Sequence, residues 1–322
     1  LFVKRENDLT AYVAIMGFSA LICNALLFLQ IKKYKISYYF SLEKVEYHLK
    51  GSLSLFWPQV ATLMYLQVDK IMLKYLTSDI SQVSFYDYGE KIVTIPLTLI
   101  TTLSTVMMPR IANEYANNNT VGMRELLIKA GKFSMMLAMP MMFGMAICAN
   151  KLIPWYLGRT YTPSIMVIIL VSPIIVTNSL SGISGNQYFV ATDQTNLLLK
   201  AYASAAVLNI LINAILIPQY GCNGAAVATV IAAVASVLIQ YYYMHKQLNI
   251  GVFIGFSLKY LLCVLFMGMG VFLVGIKLPA KPMTSAIQVL VGLTIYFAIL
   301  LITKDENLML VLRKIKNMDQ NH

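Results

Sequence analysis

The stretch WPQVATLMYLQVDKIMLKYLTSDISQVSFYDYGEKIVTIPLTLITTLSTVMMPR, Trp57–Arg110, decides how the chain is read. It is an apolar run, a short turn near Thr77–Ser81 and a second apolar run, and both runs carry charges. Asp69 and Lys70 interrupt the first; Asp87, Glu90 and Lys91 open the second. A charge at membrane depth costs about 2.5–3.5 kcal/mol on insertion scales, so such residues face a cavity or a partner. At about 100° per residue, Gln59, Thr62, Asp69 and Lys70 fall within roughly one third of the first helix's circumference. Asp87, Glu90, Lys91, Thr94, Thr98, Thr101, Thr102 and Thr105 likewise share roughly one third of the second. The opposite faces are Ile, Leu, Val and Met. A rise of 1.5 Å per residue puts both charge clusters roughly 12–18 Å below the turn, at matched depth.

The rest of the chain has the same character. It has 322 residues, 58% hydrophobic and 12% charged, with mean hydropathy +0.69. A soluble domain carries about a quarter charged residues. The apolar runs are about 20 residues long, not alternating ten-residue strands, which points to helices and away from a β-barrel. This is an all-α polytopic membrane protein. Its net charge of +11 reads as Lys and Arg on cytoplasmic loops, not as a nucleic-acid surface. Cys23, Cys148, Cys222 and Cys263 are isolated, with no CxxC and no metal spacing, so neither a disulfide framework nor a metal site is expected. No Ser/His/Asp set, metal motif or phosphate-cradling glycine loop is apparent, and no extramembrane segment is long enough for a catalytic domain. No enzyme is expected.

Nine spans are predicted, near 9–31, 51–75, 83–109, 133–153, 164–190, 197–217, 223–244, 252–275 and 284–303. Lys4 and Arg5 before the first imitate a signal peptide, but the run is too long and lacks a small-residue cleavage pattern. Sixteen Lys and Arg fall on one set of alternate loops and eight on the other, with Lys91 inside a span. The richer set is cytoplasmic by the positive-inside rule, which puts the C-terminus inside and Leu1 outside. Residues 32–50 are polar, aromatic and basic, and read as an interfacial linker. Residues 110–132 form a second cytoplasmic segment, with Asn117, Asn118 and Asn119 as its loop signal. Gly224, Ala225, Ala226, Ala228 and Ala232 suit tight helix packing, and Asn209 and Asn213, one turn apart, suit a bond to a neighbouring helix. Asn178, Ser181, Ser184, Asn186 and Gln187 mark either a cavity lining or a broken helix.

Leu208–Ala232, LNILINAILIPQYGCNGAAVATVIA, resembles a signature of the polysaccharide exporter and MATE-like superfamily. The stretches FWPQVATLMYLQVDKIMLKYL and SFYDYGEKIVTIPLTLITTLSTVMMPRIANEY resemble, more specifically, Wzx-type flippases for lipid-linked oligosaccharide repeat units. Pro58, Gln59, Asp69, Lys70, Tyr86, Lys91, Pro109 and Arg110 carry that likeness; Asp87 and Glu90 depart from the Glu and Gln that relatives often have. The resemblance implies a MATE-like helical bundle of two six-helix lobes around a central cavity, followed by two extra helices. On this chain, residues 1–31 would be the last span of a preceding N-terminal lobe and 32–50 the cytoplasmic linker. Residues 51–246 would be the six-helix C-terminal lobe, 247–303 the two extra helices and 304–322 a cytoplasmic tail.

The function so implied is flipping of undecaprenyl-diphosphate-linked oligosaccharide across the bacterial cytoplasmic membrane for capsule, exopolysaccharide or O-antigen synthesis. Lys70 and Lys91 would meet the diphosphate. Gln59, Thr94, Thr98 and Thr101 would meet sugar hydroxyls or water. Asp69, Asp87 and Glu90 would balance charge or carry a coupling proton, and Arg110 would anchor the cytoplasmic end. The competing reading makes the five charged residues internal ion pairs between two helices. No cofactor or metal is expected beyond a coupling ion, proton or sodium. The expected partners are the lipid-linked substrate, membrane lipids and a polysaccharide polymerase. A multidrug antiporter or a lipid II flippase of the same superfamily is the alternative.

Overall fold

The computed structural model describes residues 9–31, 41, 45, 49, 67–246, 248, 250–310 and 313. The chain divides into two compact units, Leu1–Thr62 and Leu63–His322. In the first, α1 (Leu9–Ile31) carries an apolar stretch, Val13–Leu29. Within that stretch the Ser19 hydroxyl and the Asn24 amide close on the helix itself, donating to the carbonyls of Ile15 and Ala20. That is the satisfaction a lipid-facing helix requires. Most of the linker 32–50, and residues 51–66 with Gln59 and Thr62, lie outside the described residues.

The second unit is an antiparallel helical bundle. It runs through α2 (67–76), α3 (Ser81–Ala116) and α4 (Thr120–Tyr156), then a broken span of α5 (Ser164–Val171), α6 (Ile174–Ser181) and a π-helix (Gly182–Val190). α7 (Thr195–Tyr220), α8 (Cys222–Met244), α9 (Ile250–Lys277) and α10 (Pro282–Ile302) complete it. Among the described residues, seven helices are long and apolar enough to cross a membrane, taking Ser164–Val190 as one. The predicted spans from 83 onward each coincide with one of these.

The segment expected as a cytoplasmic connection, 110–132, is mostly helix. α3 continues through Pro109 to Ala116, and α4 starts at Thr120. A charged helix turn is stable in water when its ends and faces are satisfied. Here Asn119 caps α4 by accepting from the Gly122 N–H at 3.0 Å, and Lys129 meets Glu125 one turn back at 3.2 Å. Asn118 makes the reversal at φ 56°, a left-handed conformation that Asn tolerates. The α7–α8 connection is tighter still. Gly221, at φ 54°, ends α7, and α8 begins at the next residue.

Three apolar clusters hold the bundle. Tyr86, Ile92, Val93 and Ile100 of α3 pack on Ile168, Ile175, Ala225 and Ala226. Ile111, Leu127, Phe189, Val237, Tyr241 and Phe253 form a second cluster. Met135, Met139, Val264, Met267, Val271 and Tyr296 join α4 to α9 and α10. Lipid offers apolar side chains no penalty, so close packing and interhelical hydrogen bonds must supply the specificity. The fully buried Ala225, Ala226, Ala228 and Ala232 let α8 sit close to its neighbours, and the Tyr296 hydroxyl donates to the Met136 carbonyl at 2.7 Å, fastening α10 to α4.

Candidate functional site

The α2–α3 hairpin brings its charges together because they lie at matched depth on either side of one turn. Lys70 Nζ is 2.6 Å from Asp87 Oδ1 and 3.1 Å from Glu90 Oε2; Lys91 Nζ is 2.6 Å from Asp87 Oδ2. Two cations and two carboxylates thus form a neutral cluster. Its members are not equally free. Lys70 is 18% exposed and held by two carboxylates, whereas the Lys91 side chain is 63% exposed and held by one. Lys91 also lies over the Tyr88 ring, 5.3 Å from its centroid. Lys70 is therefore a bond between two helices. Lys91 has donors left for something else.

Asp69 goes elsewhere, which corrects the grouping of Asp69 with Lys70 on one stripe. Adjacent helical residues point about 100° apart, and that angle carries Asp69 into the bundle, where it is 4% exposed. Its carboxylate accepts from the Tyr86 hydroxyl at 2.8 Å, the Thr229 hydroxyl at 2.7 Å and the Asn213 amide. The Asn213 amide also donates to Asn209 Oδ1 at 3.0 Å. Four helices, α2, α3, α7 and α8, converge on this carboxylate. Among the described residues no Lys or Arg forms an ion pair with it. Asn213 Oδ1 and Asn209 Nδ2 are buried without partners. A buried carboxylate ringed by neutral oxygen-bearing groups suits a proton or a small hard cation, which oxygen ligands favour. Among the described residues no group of three His, Cys, Asp or Glu assembles a metal centre.

The threonines behave locally. Thr94, Thr98, Thr101, Thr102 and Thr105 each donate to a carbonyl three or four residues back on α3. All five are exposed, together with Ile95, Leu99 and Val106. With the donors spent, the hydroxyl oxygens remain open as acceptors on the same face as Lys91. Arg110 is exposed further along α3, beyond Pro109. Gln59 lies outside the described residues. Sequence reasoning missed Tyr86 and Thr229 as Asp69 partners. A hydroxyl at each position was the available signal, but pairing them needs the crossing of α2, α3 and α8.

The polar path at 178–187 is continuous helix, α6 passing directly into a wider π-helix; the span is broken earlier, at Ser172–Pro173. After Pro173, α6 gives way to a π-helix stitched to its neighbours. The Ser184 hydroxyl donates to Gln240 Oε1 at 2.7 Å, Gln240 Nε2 donates to Ser236 and Ser181, and Gln187 Nε2 donates to Ser104 at 3.2 Å.

A family model described as lipid II flippase MurJ matches residues 2–291. The chain is 26% identical over 198 residues to a probable lipid II flippase MurJ of Rickettsia prowazekii, covering 58% of this chain and 38% of that one. It is 23% identical over 170 residues to a probable low-salt glycan biosynthesis flippase of Haloferax volcanii, covering 53% and 36%. The match thus spans well under half the length of these curated relatives. A solved structure of lipid II flippase MurJ in an inward closed conformation superposes with a TM-score of 0.68 at 23% identity, over 88% of this chain and 61% of that one. That likeness establishes the MATE-like fold.

Proposed function

The chain belongs to the MurJ family of lipid II flippases, and on that footing we propose that it forms part of a transporter for a polyprenyl-diphosphate-linked glycan of the lipid II kind. The family match over residues 2–291 carries this reading. It favours lipid II over the capsule-type repeat units that the sequence resemblance implied. Members of the family are transporters, not enzymes. The Haloferax volcanii relative, described as a glycan biosynthesis flippase, supports a lipid-linked oligosaccharide as the second reading.

The physical task is to move a diphosphate and sugars past hydrocarbon. Lys91, exposed beside the Thr94–Thr98–Thr101 face, offers a cation with open acceptors around it. It meets the diphosphate, while the threonine oxygens meet sugar hydroxyls or water. Lys70 keeps α2 and α3 in register. Asp69 takes up the coupling ion, proton or sodium, and its four-helix setting lets binding there bias the packing of the bundle. The protein lies in the bacterial cytoplasmic membrane with its C-terminus inside, by the loop-charge asymmetry.

Proteoliposomes test the substrate. Fluorescent lipid II and a lipid-linked capsule-type repeat unit, each loaded in one leaflet, are followed by quenching as the full-length protein moves them. Faster movement of lipid II supports the reading. Movement of the repeat unit alone supports the oligosaccharide reading, and movement of neither overturns both.

A further inference from the structure

A second polar site lies where α10 ends, away from the α2–α3 cluster. There α4, α9 and the turn after α10 enclose a pocket of about 370 Å³. Lys132 of α4, Lys259 of α9 and Lys304 of the turn line it, facing two carboxylates, Asp305 and Glu306.

The two carboxylates differ in commitment. Asp305 is 2% exposed and fully engaged. It accepts from Lys259 Nζ at 2.6 Å, the Tyr260 hydroxyl at 3.3 Å and the backbone N–H groups of Asn307 and Leu308 at 3.0 and 3.3 Å. Glu306 is 80% exposed and touches only the rim, 3.3 Å from Lys132 Nζ. Lys304 is exposed and, among the described residues, has no carboxylate within ion-pair distance. Its backbone sits at φ 48°, a left-handed conformation unusual outside glycine. The pocket therefore has one lysine without an acid and one whose acid is easily displaced. Next to its lining residues in the chain the helices carry outward apolar side chains: Leu258 and Leu262 of α9, flanking Lys259, are 63% and 59% exposed, and Ile302, just before Thr303, is 81% exposed.

A cationic pocket whose flanking residues are exposed and apolar matches a molecule with an anionic head and acyl tails. We infer that this pocket holds the phosphodiester headgroup of an anionic phospholipid, with Lys132 and Lys304 contacting the phosphate and the acyl chains lying along α9 and α10. Glu306 occupies the place that the phosphate takes. Basic pockets between membrane helices at the cytoplasmic surface bind such headgroups, and a surface lysine is worth about fivefold in affinity for anionic lipid. The assignment rests on α9 and α10 crossing the membrane with this end inside, and is independent of the transported substrate.

Glu306 gives the test its sign. Purified full-length protein in detergent is titrated with phosphatidylglycerol or phosphatidylcholine of the same acyl chains, and retained lipid is counted by native mass spectrometry. Phosphatidylglycerol should be retained preferentially. K132Q/K304Q should lose that preference by roughly 25-fold, about fivefold for each lysine. Glu306→Gln should strengthen phosphatidylglycerol retention about fivefold, the removal of one opposing charge. A folding defect cannot imitate that gain. Equal retention of the two lipids by the wild-type protein, or a Glu306→Gln protein that retains no more phosphatidylglycerol than wild type, would overturn the inference and leave the cluster as ion pairs between helices. Displacement of the lipid by an equal concentration of inorganic phosphate would also overturn it, in favour of a free-anion site.

Discussion

Lys70 and Asp69 are neighbours with opposite duties, and each duty predicts its own phenotype. Lys70 bridges Asp87 and Glu90 across the hairpin. Lys70→Gln leaves Asp87 with Lys91 but strands Glu90 in a mostly buried setting, at a cost of about 3 kcal/mol. The expected result is a lower thermal midpoint in detergent and reduced membrane abundance; wild-type values for both would show that the bridge contributes little. Asp69→Asn keeps an oxygen acceptor for Tyr86 and Thr229 but removes the charge that would take up an ion. Abundance should stay close to wild type, while transport in proteoliposomes loses its response to an imposed proton or sodium gradient. An unchanged gradient response would remove Asp69 from coupling. The Lys70–Asp87–Glu90 contact was legible in the sequence, because equal distance from one turn puts three charges at one depth. The surroundings of Asp69 were only half legible. The pairing of Asn209 with Asn213 follows from helical spacing, but Tyr86 and Thr229 reach Asp69 only once α2, α3 and α8 are packed.

At the scale of the element, the small-residue pattern of α8 and the polar pattern of the broken span differ in how far the sequence could be followed. In α8 the alanines announced close packing, and the structure adds why position 224 is glycine. A Cβ there would lie 2.4 Å from the Leu216 carbonyl oxygen, a backbone atom with little room to yield. Gly224→Ala should therefore cost about 1–3 kcal/mol by overpacking. Gly144→Ala, where nothing lies within 4 Å of the added carbon, should leave the thermal midpoint nearly unchanged. Equal midpoints for the two variants would mean that the α7–α8 turn relaxes freely. In the broken span, the polar run through Ser181, Ser184 and Gln187 left a cavity lining and a broken helix equally open, and gave no sign of the π-helix found there. Local sequence does not set that wide turn; Gln187 donates to Ser104 on α3 and Ser184 donates to Gln240 on α8, and these acceptors come from distant parts of the chain. The longer α3 and α4 are a similar case. Hydropathy marks where apolar residues stop, not where a capped and charged helix stops.

For the whole molecule, composition and run length were enough for an all-helical membrane bundle, because a chain this apolar has few other ways to satisfy its backbone in lipid. They were not enough for the substrate. Charge and polarity along two helices suit any diphosphate-linked sugar, and it is the family match over residues 2–291 and the lipid II flippase relative that favour lipid II. In the proposed function the α3 face acts on the substrate's diphosphate through Lys91, with Asp87 as its resting partner. The decisive measurement is lipid II flipping in proteoliposomes by Lys91→Gln and by Lys91→Gln with Asp87→Asn. Lys91→Gln should insert at near wild-type abundance, because Asp87 keeps Lys70, and both variants should flip lipid II at least tenfold more slowly per inserted molecule, a loss of about 1.4 kcal/mol or more in barrier terms. Wild-type flipping by the double variant would contradict that role and leave Lys91 as a tie within α3.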